Sequence, residues 1–489
     1  MIADVVVVGS GPSGAVAAAK LVAKGLRVVM LDAGLCAPAG GLLRVRGNTL
    51  IRFVCGEPET QRHVAIGDPG TEWFSSRSQG GLSNFWTAAV PRFHPQDFTE
   101  GEALDVRYRW PVSYAELEPF YASVERMMEI TAGNAQLDLP ANVHKYFRRQ
   151  PEEWLSFAAT VAMAGHSVGT LPMAQGAPTT LLARPTGWNS YHCVVKPLLA
   201  SPNFSLVRGA QVVRLVWSAT DGRVSAVEYI DRTRGGAATQ IACRAVVVAA
   251  GTLDSTRILL QSKSKDFPDG LGNAAGVVGR YLHDHPRQWW LARLDRAMPI
   301  LAHPMYVARE KYGIDAPLMA NCLTIGLAEK ITRVKAWFGA SSPVVGVQVF
   351  GTMVPQPHHR VELPRAADGS DDTRGPLAID IAYDEQTLRN MAAARDRFVD
   401  VFRSAGIDAE PLRPFDPMSP GSSVHYAGSI RMHDDRAVGV LDRWNRVHSA
   451  PNVVVTDMSC FTTSPEKNPT LTAMALSVRA ADRLASDLA

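Results

Sequence analysis

IADVVVVGSGPSGAVAAAKLVAKGLRVVMLDAG, residues 2–34, decides the fold. Its apolar run Val5–Val8 reads as a buried strand, the glycines after it as a turn, the alanine-rich stretch as a helix, and LRVVMLDAG as a second strand. That order is a βαβ unit. Gly9, Gly11 and Gly14 carry the spacing G-x-G-x-x-G between strand and helix, and Asp32 follows about 20 residues on, at the end of the next strand. Gly9 permits the tight turn, Gly11 lets a pyrophosphate approach the backbone, and Gly14 lets helix and strand pack closely. Pro12 and Ser13 open the helix, whose positive end faces the phosphates. Asp32 can accept hydrogen bonds from ribose hydroxyls, which disfavours a 2′-phosphate. A bound dinucleotide is expected, and the fingerprint alone does not separate FAD from NAD.

Two further segments extend the pattern. CRAVVVAAGTLDSTRILLQS (residues 243–262) repeats strand, small-residue turn and helix, and the C-terminal NVVVTDMSCFTTSPEKNPTLTAMALSVRAADRLASDLA gives a strand, a loop and a helix opening near Pro469. Strands alternating with helices argue for an α/β, Rossmann-like parallel sheet covered on both faces. Its pieces come from the beginning, middle and end of the chain, so the nucleotide domain is expected to be discontinuous: residues 1–95, 200–285 and 426–489. VVGVQVFGTMV, RVELP and LAIDIAYD are strand-like runs, with helical EQTLRNMAAARDRFVDVFRSAG after them. They predict an antiparallel sheet covered by helices, making residues 96–199 and 286–425 a substrate-binding region and the whole chain α+β.

Bulk properties exclude several classes. At 489 residues the chain exceeds what one core usually serves, so two structural domains are expected. The 50 basic and 47 acidic side chains are spread along the chain without a basic stripe, which argues against nucleic acid as a partner. No uncharged apolar run reaches the ~18 residues needed to cross a bilayer, so no membrane association is expected. Met1 leads almost directly into Val5–Val8 and leaves no room for a secretory leader, from which a cytoplasmic location is expected. Cys36, Cys55, Cys193, Cys243, Cys322 and Cys460 are scattered, without metal-ligand spacing, and read mostly as small buried hydrophobes.

The C-terminal region carries a resemblance. His425 to Ser429 (H-x-x-G-S), Arg446-Val447, Asn452 to Ser459 (N-V-x-V-x-D-x-S) and Asn468 to Thr472 (N-P-x-x-T) are similar to the glucose-methanol-choline oxidoreductase family. So are SQGGLSNFWTAAVPRF, WPVSYAELEPFYASVERMM and VVVAAGTLDSTRILLQS, and the first of these with the last helix is most like the pyranose-oxidase, sugar-oxidising branch. The resemblance implies FAD as cofactor and hydride transfer from an alcohol carbon to flavin N5. It further implies Gly81, Ser83, Asn84, Trp86, Thr87, Val212, Ala250, Gly251, Asp457, Pro469 and Thr470 as FAD-contacting residues beside the glycine turn. Relatives with covalently attached flavin carry a histidine before that tryptophan, whereas this chain has Phe85 before Trp86. Phenylalanine cannot bond the flavin methyl carbon, so FAD is expected to be non-covalent.

Hydride leaves an alcohol carbon readily only if the hydroxyl proton is removed as it goes, which calls for a base with pKa near working pH. Histidine suits that role. The resemblance makes His425 the base and Asn468 its partner on the substrate oxygen. Asn468 also reads as a helix cap. His283-Asp284-His285 resembles the family's Asp-His turn rather than a metal site, and no metal is expected.

The expected substrate is a polyol or sugar: a hydroxyl of a sugar, glycoside or amino sugar, with oxygen or another electron acceptor. A cationic aminoglycoside intermediate oxidised at a 6′-hydroxyl, as in paromamine-like compounds, is one alternative. Glu466 and Asp384-Glu385 are candidate sources of negative charge for it, although acidic side chains are usually solvated. For a neutral glycoside, Trp289 or Trp290 could stack on the ring. Readings of another class are a cyanohydrin lyase that retains FAD, and a flavin-binding structural protein.

Overall fold

The computed structural model describes residues 3–35, 37, 60–66, 73–132, 139–143, 145–147, 149–174, 188–301, 303–310, 315–326, 340–365, 371, 375–412 and 419–489. The opening βαβ unit forms as the sequence predicts: β1 (Ala3–Val8), α1 (Pro12–Ala23) and β2 (Val28–Asp32). β1 is parallel to β2 on one side and to the strand Ala237–Val248 on the other. Ala450–Val455 extends the sheet beyond Ala237–Val248, and Phe204–Arg208 extends it beyond β2, both in parallel. Valines dominate these central strands because both faces are covered, which leaves no polar face to alternate with. Segments from the start, middle and end of the chain thus build one sheet.

One face of that sheet is covered by α1 and the last helix, Thr470–Leu488, which pack on each other. The Ser477 hydroxyl donates to the Ser13 carbonyl at 2.7 Å across that contact. Helix Tyr114–Met128 packs on the last helix, with Tyr121 Oη 2.7 Å from Thr472 Oγ1. Its apolar side, together with Phe98 and Trp110, joins the core of the nucleotide sheet. Residues from the stretch assigned above to the substrate-binding region therefore share the nucleotide-domain core.

A second core lies under a six-stranded antiparallel sheet in the order Ala409–Pro411, Arg287–Pro299, Ser341–Gly351, Asn321–Gly326, Met305–Glu310 and Ser167–Thr170. Helices Glu152–Met163 and Glu385–Ser404 cover it through Trp154, Phe157, Met391 and Phe398. Asp384 starts the second of these by accepting the Thr387 N–H at 2.7 Å. Among the described residues no helix is long and apolar enough to cross a membrane. Cys243, Cys322 and Cys460 are buried free thiols and Cys193 is a half-buried one, while Cys36 and Cys55 lie outside the described residues.

Candidate active site

β1, Ala237–Val248 and Ala450–Val455 are parallel, so the turns after them meet at one edge of the sheet: Gly9, Gly251 and Asp457. Gly9 has φ +95°, and a Cβ there would lie 2.4 Å from the Ala249 carbonyl oxygen; a Cβ on Gly14 would lie 2.1 Å from the Gly9 carbonyl oxygen. These two positions are glycine because the protein leaves no room. Gly11 differs: its Cβ would meet nothing within 4 Å. Gly251, at φ +87°, is equally open.

Asp32 locks the turn. Its Oδ2 accepts both the Ser10 N–H at 2.9 Å and the Ser10 hydroxyl at 2.5 Å, and its Oδ1 accepts the Gly34 N–H at 2.8 Å. A carboxylate offers about four acceptor sites, so this duty is compatible with the expected ribose contact. Gly209 N–H donates to the Gly34 carbonyl at 3.0 Å, which brings the strand carrying Val212 (Ala210–Ser218) beside Asp32.

The 78–87 stretch closes onto this turn from outside. Gly80 N–H donates to Ser10 Oγ at 2.8 Å, Ser83 donates to the Gly80 carbonyl at 2.6 Å, and Ser190 donates to the Ser10 carbonyl at 2.8 Å. Asn84 accepts from the Asn189 amide and donates to the Gln79 carbonyl at 2.9 Å, while Trp86 donates to the Trp188 carbonyl at 3.0 Å. A Cβ on Gly81 would lie 3.2 Å from Gly11 Cα. Phe85 caps the short 3-10 helix Gly81–Asn84, with Thr87 exposed beyond it.

Asp457 fastens the third turn to the second. It accepts the Gly251 N–H at 3.0 Å and the Ser255 hydroxyl through Oδ2, and the Ser459 N–H and hydroxyl at 3.0 and 2.5 Å through Oδ1. Burial pushes this carboxyl upward against those hydrogen bonds.

These residues fit a long anionic dinucleotide. Three helices begin here, after Gly11, Gly251 and Pro469, and none has a side-chain cap. No side chain caps their first N–H groups, and their positive ends favour an anion.

The other end of the site is built on His283-Asp284-His285. Asp284 is buried and accepts the N–H groups of Gly421 at 2.9 Å, Ser423 at 3.3 Å and His425 at 2.9 Å, besides the Ser423 hydroxyl. That grip holds Val424 at φ +60°, a conformation a β-branched residue resists, and so fixes where His425 points. His283 turns away and bonds the Tyr281 carbonyl at 2.9 Å. His285 turns toward the site, with its Nδ1 2.9 Å from His425 Nδ1 and its Nε2 2.9 Å from Ser464 Oγ.

His425 Nε2 faces the Asn468 amide at 3.4 Å. Both side chains keep part of their surface open, whereas Tyr426–Arg431 and Phe461–Lys467 around them are buried. The Phe350 ring lies 5.5 Å from the His425 ring. Desolvation, with a smaller contribution from Arg287, pushes His425 down to about 3, below the near-neutral value expected of a base. A neutral imidazole on a half-buried ring beside an amide can take a proton from a hydroxyl placed against both.

Several expectations meet different surroundings. Glu466 is buried and paired with Lys467 at 2.7 Å, and Lys467 also reaches Asp97 at 3.0 Å. Asp384 caps a helix and Glu385 pairs with Arg389 at 3.1 Å. Trp290 is a core residue against Phe398, 5.0 Å between rings, so it cannot stack on a ligand; Trp289 is half-buried. Sequence reasoning missed the clamp of Ser10 and Ser190, the hold of Asp284, and the His285, Ser464 and Phe350 contacts. Ser10, Asp284 and His285 stood in noticed motifs, but their long-range partners, with Ser190, Ser464 and Phe350, gave no local signal.

Sequence models described as GMC oxidoreductase match residues 80–287 and 360–477. The 6'''-hydroxyparomomycin C oxidase of Streptomyces lividus and the paromamine 6'-oxidase of Streptomyces fradiae are each 31% identical to this chain, over 99% of it and 92% of their own length. The crystal structure of pyridoxine 4-oxidase from Mesorbium loti superposes with a TM-score of 0.67 over 98% of this chain and 99% of that one, at 18% identity, and shares the fold.

Proposed function

The chain belongs to the GMC oxidoreductase family, and from that premise we propose that it oxidises a hydroxyl of an amino sugar, with His425 as base and Asn468 holding the substrate oxygen. The observation that carries this reading is the His425–Asn468 pair, 3.4 Å apart and half-open within buried walls. When bound, FAD supplies the hydride acceptor. The residues around the open glycines Gly11 and Gly251 would hold it: Pro12 and Ser13 at one helix start, Ala250 and Thr252 at another, and Pro469 and Thr470 at the third. Gly81, Ser83, Asn84, Trp86 and Thr87 would close over it. Phe85 supports non-covalent attachment.

The chain's own residues handle the proton. Asn468 donates to the hydroxyl oxygen and orients it; His425 Nε2 accepts the hydroxyl proton as the C–H hydride departs. The O–H and C–H bonds break, the carbon–oxygen bond becomes a carbonyl, and the proton stays on His425. A ring pushed down to about 3 is sufficient, because a hydroxyl whose carbon is losing hydride becomes a protonated carbonyl, a strong acid. Burial keeps the ring neutral and ready, and keeps water from competing for the proton.

Two relatives named for aminoglycoside oxidation, similar over nearly the whole chain, support an amino-sugar substrate and oxygen as acceptor. A neutral glycoside is a second reading, favoured because Glu466, two residues before Asn468, is buried and tied to Lys467. A panel of paromamine-type amino sugars, simple glycosides and glucose, read by bleaching of the visible flavin band and by peroxide release, tests both. Turnover fastest on amino sugars supports the first reading; bleaching by glycosides alone overturns it. Product without bleaching would indicate a lyase.

A further inference from the structure

We propose that His285 is a positioning residue that fixes the tautomer of His425, holding the proton on His425 Nδ1 and leaving Nε2 as the lone pair that faces the substrate. The inference rests on His425 being the base.

It begins from the contact between the rings. The two Nδ1 atoms are 2.9 Å apart, at hydrogen-bond distance, with the rings nearly perpendicular at 79°. Two N–H groups cannot face each other at that separation, and neither can two lone pairs, so one proton lies between them. Which ring owns it is decided on the far side of His425. Its Nε2 faces the Asn468 amide nitrogen at 3.4 Å, a donor, so Nε2 presents its lone pair. A neutral His425 then carries its proton on Nδ1 and supplies the one between the rings, and His285 accepts it on a bare Nδ1. The His285 proton is left on Nε2, which donates to Ser464 Oγ at 2.9 Å.

The surroundings hold both rings neutral, as this chain of bonds requires. His285 is buried, and desolvation together with the positive charge that His425 and Lys467 would bring holds it well below the usual histidine value. When His425 takes the hydroxyl proton on Nε2, its Nδ1–H still points at the His285 lone pair, which then accepts a charge-assisted hydrogen bond. One O–H bond breaks and one N–H bond forms, and His285 changes no bond of its own. Its position is covalently set by Asp284, the neighbouring residue that grips the His425 backbone. One dipeptide thus aims the ring and selects its tautomer.

The test uses the FAD-loaded enzyme with 15N-labelled histidine. Long-range 1H–15N correlations report which ring nitrogen of each histidine is protonated, and the His425 signals are those lost in His425→Gln. The expected result is His425 protonated on Nδ1 and His285 on Nε2. In His285→Leu the acceptor is gone, so the His425 signals should shift toward the Nε2–H form, and kcat should fall about 10–100-fold with KM within about twofold and FAD content unchanged. His285→Asn places an amide oxygen near the former Nδ1 and should restore the Nδ1–H form and most of kcat. If His285→Leu does not fold, Ser464→Ala stands in: with the partner of His285 Nε2 removed, the His425 signals should shift partly toward the Nε2–H form, and an unchanged tautomer would count against the proposal. Finding His425 protonated on Nε2 in the unaltered enzyme overturns the proposal, as does a His285→Leu enzyme with unchanged tautomer and kcat. An Nδ1–H signal together with full activity in His425→Ala would instead remove His425 as base and leave the tautomer assignment standing.

Discussion

Asp284 accepts the backbone N–H of His425 at 2.9 Å, and with the same carboxylate gathers Gly421 and Ser423. The His425 ring is therefore aimed by its own main chain. Replacing Asp284 by Ala would leave three buried N–H groups and the Ser423 hydroxyl without this acceptor, at a cost of about 3 kcal/mol or more. A lowered melting temperature with reduced turnover is expected, and a smaller loss for Asp284→Asn, which keeps an acceptor oxygen. Unchanged melting and turnover in Asp284→Ala would contradict this.

The three glycines of the turn should separate by phenotype. Gly14→Ala and Gly9→Ala drive a methyl into backbone at 2.1 and 2.4 Å and should destabilise the apoprotein itself. Gly11→Ala meets open space. It should melt like the parent apoprotein yet lose FAD affinity, because its methyl would fill the open space proposed for the pyrophosphate. Fluorescence titration with FAD and apoprotein melting check the contrast; a Gly11→Ala protein that binds FAD normally would contradict it.

Acid should act through buried histidines. His63, His283 and His359 are pushed down to about 4 and His425 to about 3, desolvation being the largest cause for each. Between about 4 and 6.5 the unfolded chain binds protons that the folded one refuses, so this contribution is complete above 6.5 and lost as pH falls. Melting temperature should decline through that window. Over the same range kcat/KM should show no inflection near 6.5, because desolvation, with a smaller contribution from Arg287, opposes a charged His425. A titration of activity centred near 6.5 would mean a base with ordinary exposure.

With Phe85 before Trp86, the cofactor is proposed to be separable. Heating or acid precipitation should release a yellow supernatant and leave a colourless pellet. Colour that stays with the pellet would place a covalent link at another residue.

How much of this was legible differs from element to element. β1, α1, β2 and the last helix could be read directly, because valine runs, glycine spacing and Pro469 are local signals that the fold obeys. The antiparallel sheet under Glu385–Ser404 was legible in kind, from strand-like runs followed by an amphipathic helix. Less visible was that helix Tyr114–Met128 would pack on the last helix, because an amphipathic face does not name its partner. At the site, His425 and Asn468 were found by motif and stand together. His285 was noticed but not joined to His425, 140 residues away. Glu466 read as a solvated carboxylate, since nothing local shows that Lys467 and Asp97 would bury it.

The most direct measurement is anaerobic mixing of the FAD-loaded enzyme with a paromamine-type amino sugar, following the flavin band in the parent and in His425→Ala. General-base removal costs about 10²- to 10⁴-fold, so the parent should bleach rapidly and the variant should bleach slower by that factor while binding FAD equally well. Equal bleaching rates in the two proteins would contradict the assignment of His425 as the base.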